Sequence, residues 1–330
     1  MWQTAHNSRR QHTTLTSFFL LPQIRRRLEQ VESEDICCDL TPVEVDFDDP
    51  LLGPALFFDC FLHEADDDVP YAIDLPEDFV TSNTEDLLSG FAVICSRGGA
   101  TPVRSIIDGD FINVTDSTTF YFLESTKNET EPLKSPRSVL IVRVIGDAGD
   151  EPPQNSRQDQ LAEAVFGTGE PGSDSAFDQY DRCSFGKLQF IPAEGHPQIS
   201  NGVMDVQIDA SLEGRDIYRI RTMFQVAAAT ALNVSSLGEE FDHVIFCVPD
   251  GTVVPRRGKD WGAFARIGNF DSYYNSRHQR CTTVGTLAHE LGHNLGMHHS
   301  GTSGQPYGDR TGTVRRENRA AWVHVCCSFV

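Results

Sequence analysis

Residues 289–299 read His-Glu-Leu-Gly-His-Asn-Leu-Gly-Met-His-His, and the order His289, Glu290, His293, Gly296, His299 decides how the rest of the chain is read. Two histidines four apart on a helix project from one face, a turn above each other, so His289 and His293 can share one metal ion. A helix carried straight on would leave His299 about 240° round the axis from His293, pointing away. Gly296 resolves this, because a glycine at a helix C-terminus takes the left-handed conformation without a Cβ clash and redirects the chain. His299 then returns as third ligand; its neighbour His298 could take that place, but the spacing favours His299. Three neutral imidazoles leave a fourth position for water, as in a catalytic rather than a closed structural zinc site. Glu290 sits beside them and can hydrogen-bond to that water without being a ligand.

The carrier helix is legible. Val284, Leu287, Ala288, Leu291 and Leu295 form an apolar stripe at helical spacing, with Thr282 or Thr283 as N-cap. Gly285 and Gly292 each cost roughly 1 kcal/mol relative to alanine inside a helix, which points to close packing of a strand or substrate there. The competing reading is coincidence, with the histidines as ordinary side chains. A chance occurrence of the whole five-residue pattern in a chain of this composition is below about one in ten thousand.

With these residues in view, the segment resembles the metzincin clan of zinc endopeptidases, and within it the gametolysin family of algal and protist extracellular matrix proteases. Beyond the zinc motif, the likeness rests on Cys183-Ser184-Phe185-Gly186-Lys187-Leu188 after Tyr180 and on Tyr307-Gly308-Asp309 downstream, and covers residues 138–313. It implies one Zn2+ on His289, His293 and His299, which polarises the scissile carbonyl and acidifies its water. Glu290 would take the water's proton and deliver it to the leaving amine. One departure is plain. Metzincins carry a methionine-containing turn beneath the zinc, yet no methionine follows Met297, and Thr313 leads into Val314-Arg315-Arg316. Residues 314–330, basic and containing Cys326-Cys327, therefore read as an atypical tail, a gene-model artefact.

A chain of 330 residues accommodates two domains. Its net charge of −21 argues against nucleic acid or anionic membranes as partners. No stretch reaches the roughly 18 consecutive apolar residues of a membrane span. Arg9 and Arg10 precede a short apolar run at 15–21, but Arg25-Arg26-Arg27 follows, so the start does not read as a signal peptide. Nine cysteines without a C-x-x-C pair, together with sequons at Asn113, Asn128 and Asn233, nevertheless fit a secreted or cell-wall-associated glycoprotein with disulfides. Some metzincin pro-regions keep a thiolate on the zinc; Cys95 is the candidate here, set against an ordinary disulfide or buried thiol. The acidic clusters at 46–49 and 64–68 read as solvated loops rather than calcium sites.

Residues 1–40 form an N-terminal segment with a poor signal or misannotated start. Residues 41–130, with β-rich runs at 55–60, 90–95 and 118–123, predict a small β-sandwich serving as pro- or accessory domain. A linker at 131–137 leads into a catalytic domain at 138–313, of α+β or α/β class and metzincin-like, with a twisted, mostly parallel sheet and long helices. Its expected elements are strand 138–145, helix 159–166, a Gly-rich loop 167–175, strands 187–191 and 203–208, helix 215–232, strand 241–248 and a short strand 263–267. The resemblance gives that last strand the edge of the cleft, where it pairs with the extended substrate; by chemistry alone, any free strand edge can accept a peptide. His196 and His243 read as structural. The expectation is thus a metalloendopeptidase, made as a zymogen, hydrolysing peptide bonds of extracellular matrix or cell-wall (glyco)proteins, with oligomeric state left open. The alternative is a catalytically inactive zinc-binding remnant that acts as an extracellular protein- or glycan-binding module.

Overall fold

Continuous apolar runs mark the strands that lie at the centre of the sheet. In the computed structural model, which describes residues 35–47, 55–62, 70–88, 92–103, 111–125, 135–147, 156–169, 174–254, 258 and 261–299, the N-terminal part supplies β1 (Ile36–Phe47), β2 (Ala55–Leu62), β3 (Tyr71–Ile73), α1 (Glu77–Ser82), α2 (Thr84–Leu88), β4 (Ala92–Arg97), β5 (Thr101–Val103), β6 (Phe111–Asn113) and β7 (Thr119–Ser125). The C-terminal part supplies β8 (Arg137–Ile145), α3 (Gln158–Phe166), α4 (Ala176–Cys183), β9 (Phe190–Pro192), β10 (Val203–Gln207), α5 (Ile217–Leu232), α6 (Leu237–Glu240), β11 (His243–Val248), β12 (Trp261–Arg266), β13 (Asp271–Asn275), a 3-10 turn (Arg277–Thr282) and α7 (Val284–Asn294).

On β8, Val139 and Ile141 face one layer while Leu140, Val142 and Val144 face the other; on β11, Ile245 and Cys247 are set against Val244, Phe246 and Val248 in the same way. The first layer packs under α3, α4 and α7 through Leu161, Val165, Tyr180, Leu287 and Leu291. The second packs under α5 through Ile217, Ile220, Phe224 and Ala228. Strands apolar on both faces need helices on both faces, and parallel pairing needs helical crossovers, so these features arise together. β8 pairs in parallel with β9, β10 and β11, β11 pairs in parallel with β13, and β12 runs antiparallel to β13. The fold is mixed α/β on one large sheet with several flanking helices.

One expectation needs correction, and two elements were not anticipated. The N-terminal β-rich runs do not make a separate sandwich of two stacked sheets. β1 pairs with β2 along one side, and along the other with β4 over residues 36–40 and with β12 over residues 43–47, so the thirteen strands of the described residues join in one sheet. Val43 and Val45 are fully buried in the α5 layer; at about 1.5–3 kcal/mol per buried valine, this tie is substantial. Strand β13 was not anticipated because Asp-Ser-Tyr-Tyr-Asn carries no apolar pattern, yet all five residues are buried. The Asp271 carboxylate is met inside: Tyr273 and Gln225 donate to it at 2.8 Å each, and Arg266 pairs with it. Helix α4, where Ser175 caps the chain by accepting from the Asp178 N–H, was also unforeseen.

Cys37–Cys95 and Cys38–Cys60 bridge the N-terminal strands, Cys247–Cys281 ties β11 to the turn before α7, and Cys183 is likewise disulfide-bonded. Cys95 therefore offers no thiolate. Among the described residues, no helix is long and apolar enough to cross a membrane. The start at 1–34, the sequon at Asn128, the Tyr307-Gly308-Asp309 match, the missing methionine turn and the 314–330 tail lie outside the described residues.

Candidate metal centre

Helix α7 is pinned before it presents anything. Its N-cap is Thr283, and Leu287, Ala288 and Leu291 are buried. The Tyr180 hydroxyl of α4 donates to the Ala288 carbonyl at 2.6 Å, and the Tyr274 hydroxyl of β13 reaches the Leu287 carbonyl at 3.4 Å. At the far end, the Asn294 amide donates to the carbonyls of Arg266 and Asp271 at 3.1 and 2.8 Å, fastening the helix to the β12–β13 hairpin. The close packing expected at Gly292 is present, though the neighbours differ: a Cβ there would meet Met297 Cε at 3.0 Å and the Tyr180 hydroxyl at 3.3 Å, neither a strand nor a substrate.

Gly296, at φ +88°, turns the chain as its position predicts. Its N–H bonds to the His293 carbonyl at 2.8 Å and that of Met297 to the Gly292 carbonyl at 3.0 Å, the paired closure of a Schellman motif. The turn brings His299 back. The three Nε2 atoms of His289, His293 and His299 lie 3.0, 3.0 and 3.2 Å apart, and it is His299, not His298, that completes the cluster.

These residues fit a cation. His293 Nδ1 lies 2.7 Å from the Met297 carbonyl, which can only accept, so Nδ1 carries the proton. Burial holds the ring's pKa down to about 3, so it is neutral and its Nε2 lone pair faces two other imidazole nitrogens. Tetrahedral zinc takes nitrogens at about 2.0–2.1 Å, which places them roughly 3.3 Å from one another. Glu290 is 1 % exposed, and among the described residues neither carboxylate oxygen has a hydrogen-bond partner. Burial, then the charges of Asp46 and Glu44, push its pKa up. A buried carboxylate with no partner costs several kcal/mol unless something polar meets it.

Two carboxylates that the sequence left in a loop or in no role complete the cluster. Asp46 Oδ2 on β1 lies 3.1 Å from His289 Nε2, and Glu44 Oε2 lies 2.8 Å from His299 Nδ1. Burial opposes charge on both members of the latter pair, yet their mutual attraction wins, holding the Glu44 carboxyl at about 2 and raising the His299 pKa. The available signal was Val43-Glu44-Val45-Asp46, an alternation that fixes a two-faced strand but not its neighbour. His243 instead accepts from Arg137 Nη1 at 2.8 Å, and His196 contacts Glu240 at 3.1 Å; neither joins the cluster.

The family model described as Gametolysin peptidase M11 matches residues 139–323, more than half of the chain. No curated protein and no solved structure matches it. The matched span contains the α7 helix, the glycine turn and all three clustered histidines, and on that footing the chain belongs to the gametolysin peptidase M11 family and is a metallopeptidase.

Proposed function

We propose that the chain is a zinc-dependent endopeptidase in which His289, His293 and His299 hold the ion and Glu290 is the general base. The observation that carries this reading is the buried, unpartnered Glu290 carboxylate beside three converging imidazoles in a metallopeptidase family. Zinc bound there supplies a Lewis acid that polarises the scissile carbonyl and lowers the pKa of water. Glu290 accepts the proton of the attacking water and returns it to the departing amine. The edge of β12 that β1 occupies is where an extended substrate chain would pair once β1 has left it, the usual way a peptide is held beside a sheet. The substrates are proteins, and the resemblance favours those of extracellular matrix or cell wall. Disulfides and the exposed sequons at Asn113 and Asn233 support action outside the cell.

The test compares Glu290→Gln and His293→Gln with wild type, by metal analysis and by casein cleavage after brief trypsin nicking and quenching. Glu290→Gln should keep a stoichiometric zinc ion and lose about 10²–10⁴-fold in rate. His293→Gln should lose the zinc. Full cleavage by Glu290→Gln refutes the assignment of the base.

A further inference from the structure

β1 sits where a substrate is expected. It pairs antiparallel with β12 in the register Val43↔Arg266, Glu44↔Ala265, Val45↔Phe264, Asp46↔Ala263, with an irregularity before Phe47. Paired residues share a face, so Glu44 and Asp46 stand beside Ala265 and Ala263 on the α7 side, while Val43 and Val45 enter the α5 core. The alternation delivers two carboxylates to the histidines and nothing else. Asp46 Oδ2 is 3.1 Å from His289 Nε2, Asp46 Oδ1 is 3.9 Å from His299 Nε2, and Asp46, His289 and Glu290 themselves form a group able to hold a metal. Glu44 rests on His299 Nδ1 at 2.8 Å, the position from which a carboxylate orients a ligating imidazole.

The geometry points to a built-in plug: β1 fills the peptide groove along β12, and Asp46 supplies the fourth ligand to the metal held by His289, His293 and His299, in the place a water would take. This rests on the metal-site reading above and adds the regulation of that site. Cys95 has no part in it, since it is bonded to Cys37. β1 is itself anchored by β2 along its other edge and by disulfides from Cys37 and Cys38, so the plug leaves only with the N-terminal strands as a body. Before that happens, the groove is closed to substrate and the metal to small ligands alike.

The experiment uses the full chain loaded with cobalt(II), as wild type and as Asp46→Asn and Asp46→Ala. Asn keeps the shape of the side chain and guards against misfolding in the Ala variant. Metal stoichiometry is measured first, and acetohydroxamate is then titrated while the visible cobalt spectrum is followed. An internal ligand that must first be displaced weakens the apparent hydroxamate affinity by the fraction of open sites, so both variants should bind it about tenfold or more tightly than wild type. Casein cleavage by the un-nicked variants should stay as low as that of wild type, because β1 still fills the groove along β12. If all three proteins bind one cobalt and their hydroxamate affinities agree, the plug is refuted while the metal site stands. If none binds metal, both readings fall.

Discussion

Asp59 gives the sharpest test of how the N-terminal strands are joined to the rest. It lies on β2 with no exposure, and it pairs with Arg221 of α5, accepts from the Tyr218 hydroxyl at 2.7 Å and lies 3.8 Å from Arg266 Nε. Arg221 is 1 % exposed, and among the described residues its Nε and Nη1 have no hydrogen-bond partner, so Asp59 is its counterion. Burial works against the guanidinium charge, yet Asp59 holds its pKa above the ordinary value. Removing one member of a buried pair leaves an uncompensated ion and costs about 3–5 kcal/mol. The hydroxyl's lost charged acceptor overlaps with that figure, and Arg266 keeps Asp271. We therefore expect Asp59→Leu to lower stability by about 4 kcal/mol in urea unfolding of the full chain, and Arg221→Met by a similar amount. The double variant should recover most of the loss, because no lone charge remains buried. Single losses below about 1 kcal/mol, or additive losses in the double variant, refute a tight buried interface at β2.

Tyr180→Phe should cost about 1 kcal/mol in the same assay, the price of one buried hydrogen bond to the Ala288 carbonyl, with zinc stoichiometry unchanged. Gly296→Ala forces a side chain into φ +88° and should lose about 1–2 kcal/mol; because the same turn delivers His299, zinc affinity measured by competition with a chelator should fall too. His243 titrates at about 3 in the folded chain, held down by burial and then by Arg137, whereas an unfolded histidine takes a proton below about 6.5. The unfolded state thus binds more protons at intermediate pH: stability from this residue is complete above about pH 6.5 and declines as pH falls toward 3, by up to about 1.4 kcal/mol per unit. His243→Gln keeps the acceptor for Arg137 without titrating, so its unfolding free energy should fall less between about pH 6.5 and 5 than that of wild type; parallel curves overturn the assignment.

Elements whose burial follows a local period were readable. Helix α5 and strands β8, β10 and β11 fall within two residues of expectation, since their apolar side chains repeat at helical spacing or run continuously. β13 was hidden because its polar residues are paired with Arg266, Gln225 and Asn294 of other elements, partners that no window of sequence contains. The sandwich expectation failed for a related reason: short strands specify a pleated face, but not which edge they join.

The sequence alone determined the candidate metal-binding group, because everything that assembles it is local. Two histidines one turn apart, a glycine that tolerates positive φ and a third histidine just beyond act within a single helix and its cap, where spacing is geometry. What stands over that group was decided only in three dimensions. Glu44 and Asp46 reach it from far upstream because β1 hydrogen-bonds to β12, and backbone pairing carries no residue code by which the partner strand could be read in advance.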